Sequence, residues 1–286
     1  MTAPYPRIFS KVFTEPWEIL PSHHDSIATA LLDQMKSGRD LAIPEDRLGL
    51  GPERESDRFR NHVEISNDSR LAIMTIDGVL GKRLSWMETY CGGCDLAWID
   101  QDIEELKNDD RIETVIFDIH SPGGLSRESS DSAARFVDLS KVKRTVAYTD
   151  SVMASAAYKL GAACDEIHTS SSGVTGSIGT FISVLDSSKA YEMEGYALRV
   201  FRDGKYKAMG TPGKALTEEE ADYLQSQVDT LSKKFKSFCL SQRPGLKPEA
   251  MQGQGFSGDE ALAAGLVDGL HRDLISLVAA ELDRLS

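Results

Sequence analysis

Thr114-Val-Ile-Phe-Asp-Ile-His-Ser-Pro-Gly-Gly124 is the stretch that decides the fold. Thr114 to Ile119 reads as a strand buried on both faces, because its apolar and β-branched residues run on almost without polar interruption. The strand runs directly into Ser121-Pro-Gly-Gly124, and Ser130 to Leu139 follows with helical spacing. A strand, a glycine turn and a helix in this order make one unit of an α/β domain.

The same alternation extends in both directions. Leu71 to Ile76 predicts a strand ending at Asp77-Gly78, and Asp95 to Leu106 a helix. Downstream, Thr145 to Tyr148, Glu166 to Thr169 and Ile178 to Val184 predict strands, with Ser155 to Ala163 a helix of small residues. Repetition of strand and helix implies parallel pairing. Thr217-Glu-Glu-Glu220 forms a capping box, since Thr217 can accept from the third helical N–H and Glu220 can reach back. The long helix it opens carries Ala221, Leu224, Val228, Leu231, Phe235 and Phe238 on one stripe, suited to core packing or to a subunit contact. Arg243-Pro-Gly245 ends it, and shorter helices are expected at Gly258 to Ala264 and Arg272 to Leu282.

Residues 1–65 differ. A helix is expected from Asp25 to Met35, with Ile27, Leu31 and Met35 on one face, followed by a charged, Gly- and Pro-bearing linker from Lys36 to Arg60. The expected division is an N-terminal arm with a short helix and charged linker over 1–65 and the main domain over 66–286.

With 286 residues, 41% hydrophobic and 27% charged, the chain can bury a full core. A formal charge of -13 argues against a phosphate-binding surface, so nucleic acid is not an expected ligand. The start, Met1-Thr-Ala-Pro-Tyr-Pro-Arg7, shows no signal peptide. No window approaches the roughly 20 apolar residues of a membrane span, which leads to an expected cytoplasmic setting. Cys91, Cys94, Cys164 and Cys239 are too few for a disulfide scaffold. Cys91-Gly-Gly-Cys94 has metal or redox spacing but no second ligand pair, so structural thiols are expected, with no metal and no cofactor.

Four stations carry possible chemistry. The glycines of Ser121-Pro-Gly-Gly124 can turn N–H groups into a cleft, where they would stabilise an oxyanion, although a plain Pro-Gly turn has the same sequence. Ser155 stands at a helix start, where the helix dipole favours a nucleophile and the Ala156 N–H could complement Gly124; small residues there also serve close packing. Ser177, in Gly176-Ser-Ile-Gly179, could fix an amine by hydrogen bonding. Lys207, in Gly204-Lys-Tyr-Lys207, could be a general base once burial lowers its pKa from about 10.4. Lys205 points the same way if the segment is extended, but sits nearer an exposed turn.

In combination these stations resemble the S49 family of serine peptidases, the signal peptide peptidase A group and related bacteriophage head-maturation proteases. The resemblance spans about Leu71 to Leu270 and includes Phe117 to Gly124, Ala154-Ser-Ala-Ala-Tyr158, Gly176 to Gly179, Gly204 to Lys207, and Phe256 to Leu262 with Gly265 to Asp268. It implies Ser155 as nucleophile, Lys207 as general base, Ser177 as the lysine-orienting residue, and Gly124 and Ala156 as oxyanion N–H donors. It also implies a crotonase-like, Clp-like α/β spiral of ββα units with a C-terminal helical region, and a homo-oligomer with sites near subunit contacts. Pro16-Trp17, Leu20-Pro21 and the region from Gly78 to Cys94 are similar to the phage branch. His120 departs from the acidic or small residue usual before Ser-Pro-Gly-Gly, and the scaffold-like tail of some phage members is missing after Ser286.

The expected chemistry is cleavage of scaffold, portal or capsid proteins, inside a procapsid in the phage reading, through a Ser155 acyl-enzyme with Lys207 moving protons. Substrates would lie extended along an exposed strand edge, with small side chains near the cut. The rivals are a soluble signal-peptide-peptidase-like protease, a Clp-type Ser/His/Asp enzyme using His168, a crotonase acting on acyl-CoA, and a non-catalytic capsid-assembly component.

Overall fold

A computed structural model describes residues 6–37, 63–66 and 70–286; the expected linker falls outside them from residue 38 to residue 60. In chain order the elements are α1 (Pro6–Thr14), β1 (Pro16–Ile19), α2 (Pro21–Ser37), β2 (Val63–Ile65), β3 (Leu71–Asp77), β4 (Val79–Gly81), α3 (Trp86–Tyr90), β5 (Gly93–Asp95), α4 (Leu96–Asn108), β6 (Thr114–His120) and β7 (Gly123–Leu125). They continue with α5 (Ser126–Ser140), β8 (Arg144–Thr149), β9 (Val152–Ala154), α6 (Ala156–Ala162), β10 (Glu166–Thr169), β11 (Val174–Gly176), β12 (Phe181–Ile182) and α7 (Ser188–Met193). The last are α8 (Glu218–Gln242), β13 (Gly255–Phe256), α9 (Gly258–Ala264), β14 (Gly269–Leu270) and α10 (Leu274–Leu285).

The central sheet has the order β14-β10-β8-β6-β3-β2, and its pairs are parallel except for β2 with β3. β6 lies in its middle, which is why Val115, Ile116, Phe117 and Ile119 are all buried. Leu96, Ile99, Ile103 and Leu106 recur at helical spacing on α4 and join Phe117 and Phe136 in the main core, the two rings 4.4 Å apart. On the other face Ile116, Val146 and Tyr148 pack with Leu277 of α10. The α/β class expected from the alternation is the class observed.

Each of three long strands passes through a tight turn into a short one before its helix: β3 into β4, β6 into β7 and β8 into β9. The short strands form two smaller sheets, β12-β1-β7-β4-β5 and β13-β11-β9. These carry the site. The segment read as an N-terminal arm supplies β1 to the first of them, with Trp17 and Ile19 buried against Leu125.

Two expectations shift. The strand expected over Ile178 to Val184 is reduced to β12, whose two residues pair with Pro16 and Trp17 at the start of β1. On α8 the apolar stripe divides: Phe235 is buried, Ala221 is exposed, and Leu224, Val228 and Leu231 are only half-buried. The first half of α8 therefore stands away from the core.

Candidate active site

Hydrogen bonds draw three of the four stations together. The Ser121 N–H donates to the Val152 carbonyl at 2.8 Å, and the Ala154 N–H donates back to Ser121 at 3.0 Å. This ties the glycine turn to β9. β9 in turn pairs with β11, and the Ser155 N–H donates to the Gly176 carbonyl at 2.7 Å, which brings the Ser177 turn alongside. Ser177 is fixed from its other side by donating its N–H to Gln254 at 2.6 Å.

Ser155 has φ 56° and ψ −115°, a conformation that costs a non-glycine residue on the order of 1–3 kcal/mol. It is buried, and its hydroxyl has no hydrogen-bond partner among the described residues. Backbone strain and buried polar atoms without partners both cluster at functional sites. Directly after it α6 begins with Ala156, whose N–H has no earlier carbonyl in the helix to bond. Gly124 admits no side chain, since a Cβ there would lie 2.0 Å from the Leu80 carbonyl oxygen.

Lys207 is elsewhere. It lies on an exposed turn closed by its own N–H to the Gly204 carbonyl at 3.1 Å, with no strand over Gly204 to Gly210. The turn is well anchored: Tyr206 stacks on Tyr223 at 4.3 Å, and Lys205 pairs with Glu219. Arg202 and Lys214, on either side, converge on the buried Glu220 carboxylate at 2.5 and 2.7 Å and hold it down to about 2, Lys214 having the larger effect. The turn thus rides on the first part of α8. No described hydrogen bond joins Lys207 to Ser155 or to Ser177.

Sequence reasoning missed a second lysine. Lys159, one helical turn after Ser155, donates its N–H to the Ser155 carbonyl at 3.0 Å and is only 3% exposed. Its ammonium forms an ion pair with Glu18 of β1, itself 1% exposed, and reaches Ser130 Oγ at 3.1 Å and the Phe235 ring at 4.5 Å. Burial raises the Glu18 carboxyl above its ordinary value, and Lys159, Ser126 and Thr180 oppose that rise. The signal in the sequence was a charged residue within Ala156-Ala-Tyr-Lys-Leu160, a run otherwise built for burial. Beyond β1 a cavity of about 260 Å³ opens between Ile19, Ser177, Phe181 and Lys236 of α8.

His168 bonds Glu166 at 3.0 Å and packs edge-on against His271, with no described bond to Ser155. Cys91 is exposed and Cys94 buried, its thiol pushed up to about 12 by burial, and neither is joined in a disulfide among the described residues. Among the described residues no group of His, Cys, Asp or Glu side chains is placed to hold a metal ion, and no helix is long and apolar enough to cross a membrane.

An α/β chain with a strained serine at a helix start beside a glycine turn has the form of a serine hydrolase. The sequence profile of Peptidase family S49 matches residues 137–283, just over half of the chain, and the chain belongs to that family. It is 25% identical to Capsid assembly protease C of Escherichia phage lambda, covering 97% of this chain and 66% of that protein. It is also 25% identical to the Head-tail preconnector protein GP5 of Enterobacteria phage P21, covering 96% and 57%. The chain spans about half to two thirds of the length of the curated relatives it matches. Among solved structures it is similar to an enoyl-CoA hydratase/isomerase from Marinobacter aquaeolei, with 12% identity, a TM-score of 0.48, and 79% and 75% of the two chains covered.

Proposed function

We infer that the chain is a serine endopeptidase of phage head assembly whose nucleophile is Ser155 and whose general base is Lys207 of a second copy. The strained, unpaired Ser155 beside Gly124 carries the reading. Its likeness to the lambda protease over nearly the whole chain supports scaffold, portal or capsid proteins as substrates.

A lysine becomes a base when burial disfavours its charged form. Lys207 is exposed in a single chain, on a segment whose Met193, Tyr196 and Phe201 are also exposed, Phe201 by 92%. Covering that apolar surface with another copy would bury the amine and bring it to a neighbouring Ser155, where Ser177 would orient it. Lys207 then takes the Ser155 Oγ proton as Oγ bonds to the substrate carbonyl carbon. The resulting oxyanion is received by the N–H groups of Gly124 and Ala156. The C–N bond breaks as the ammonium returns its proton to the leaving amine; water, deprotonated by the same lysine, then bonds to the acyl carbon, and the Oγ–acyl bond breaks as the ammonium returns that proton to Ser155 Oγ.

The test is coexpression of the chain, or its Ser155→Ala variant, with neighbouring structural proteins, followed by mass spectrometry of new termini. New termini with the wild type alone are expected. Identical processing by both would sink the assignment.

A further inference from the structure

Substrates of a peptidase with this site were expected on an exposed strand edge, but the edge of β7, which carries Gly124, is not exposed. β1 fills it. Residues 16–19 lie antiparallel to β7 on one side and to β12 on the other, with Glu18 opposite Gly124 and Trp17 opposite both Leu125 and Phe181. The Leu20 N–H donates to the Pro122 carbonyl at 2.9 Å, so the alternation of an antiparallel ladder directs the Gly124 N–H at the Glu18 carbonyl. A Cβ on Gly123 would meet that carbonyl oxygen at 2.1 Å and the Ala154 carbonyl oxygen at 3.0 Å. The Glu18 carbonyl is therefore close to the backbone that leads into Ser155. It is received by the N–H that would hold the carbonyl of a substrate.

Side chains on a strand alternate, and those of β1 divide accordingly. Trp17 and Ile19 pack with Leu125, Val79 and Phe181, while Glu18 enters the body of the protein. There its carboxylate pairs with Lys159 and accepts from Ser126 Oγ at 2.7 Å and Thr180 Oγ1 at 3.4 Å. Lys159 is steadied by Ser129 and Ser130. A buried ion pair is seldom more stable than an apolar pair of the same shape, so this pocket calls for a role in selection. Strand addition works in this way: main-chain bonds hold the peptide and side-chain pockets choose it.

We propose that Pro16–Leu20 occupies the substrate strand of the peptidase as an internal mimic. The Lys159 pocket is then the subsite that reads a carboxylate side chain on the substrate residue whose carbonyl meets the Gly124 N–H. The site selects protein segments with glutamate, rather than a small residue, immediately before the cut, and admits them when β1 withdraws. This rests on the serine peptidase reading.

The test uses the full chain. Trp17 and Phe181 are register partners on adjacent antiparallel strands, a spacing that a disulfide can bridge, so W17C/F181C staples β1 in place. Oxidised protein is expected to lose labelling of Ser155 by a fluorophosphonate, and reductant to restore it; equal labelling in both states overturns the mimic. Independently, wild-type protein acting on a peptide mixture should prefer glutamate before the cut by roughly tenfold or more, and E18L/K159M should lose that preference. Cuts with no acidic preference in the wild type overturn the subsite. If labelling and cutting are lost with Ser155→Ala but neither depends on the staple or on Lys159, the peptidase stands and this proposal falls. If wild type neither labels nor cuts under any condition, both fall.

Discussion

Lys159 and Glu18 meet across 141 residues of sequence, and both side chains are almost wholly removed from solvent. Each has given up its hydration on burial, so each depends on the other. Glu18→Leu alone leaves the ammonium unpaired and is expected to cost about 3–5 kcal/mol of stability. E18L/K159M should recover most of that loss. Urea unfolding of Glu18→Leu, Lys159→Met and the double variant checks this, and additive losses would show that the pair is not coupled.

Mixing two inactive variants tests the shared dyad. With Lys207 supplied by a second copy, coexpressed Ser155→Ala and Lys207→Ala chains form some sites that hold both groups. Random pairing places an intact serine opposite an intact lysine in about a quarter of sites, so about that share of wild-type activity should return. A dyad within one chain would give none.

Gly124 and Gly245 separate crowding from composition. Gly124→Ala forces a methyl to within 2.0 Å of the Leu80 carbonyl oxygen and should destabilise by about 1–3 kcal/mol. Gly245→Ala meets nothing within 4 Å and should stay within about 0.5 kcal/mol of wild type. Thermal melts of both give the comparison.

His120 makes stability depend on pH. Asp118, at 3.1 Å, raises the imidazole above its ordinary value of about 6.5 against the effect of burial, helped by Asp150 and Asp77. A group raised on folding stabilises fully below its unfolded pKa and loses that contribution as pH rises through the folded one. Stability should therefore decline over that window, and His120→Asn should flatten the decline in urea midpoints.

The sheet was legible because β6 and its neighbours are buried on both faces and repeat their period, and the capping box at Thr217 and Glu220 forms as its residue types require. The convergence of Ser121, Ser155 and Ser177 could be anticipated only in order, not in space. It depends on hydrogen bonds between short strands, such as Ser155 to Gly176, that leave no periodic trace. Pro16–Ile19 was hardest to place, being too short to show a pattern and finding its partners more than 100 residues away. An extended segment would have set Lys205 and Lys207 on one side, and the Gly204 turn that holds Lys207 satisfies its bonds locally instead.

Under the proposed shared dyad, the Lys207 turn, clamped to α8 through Glu220 and facing outward, has a kinetic consequence. When the two halves of a reaction centre belong to different molecules, their encounter follows mass action, and activity rises faster than in proportion to the number of chains. Such a protein is quiet while dilute and becomes active where many copies are confined together. Onset is then set by local crowding, with no separate activator required.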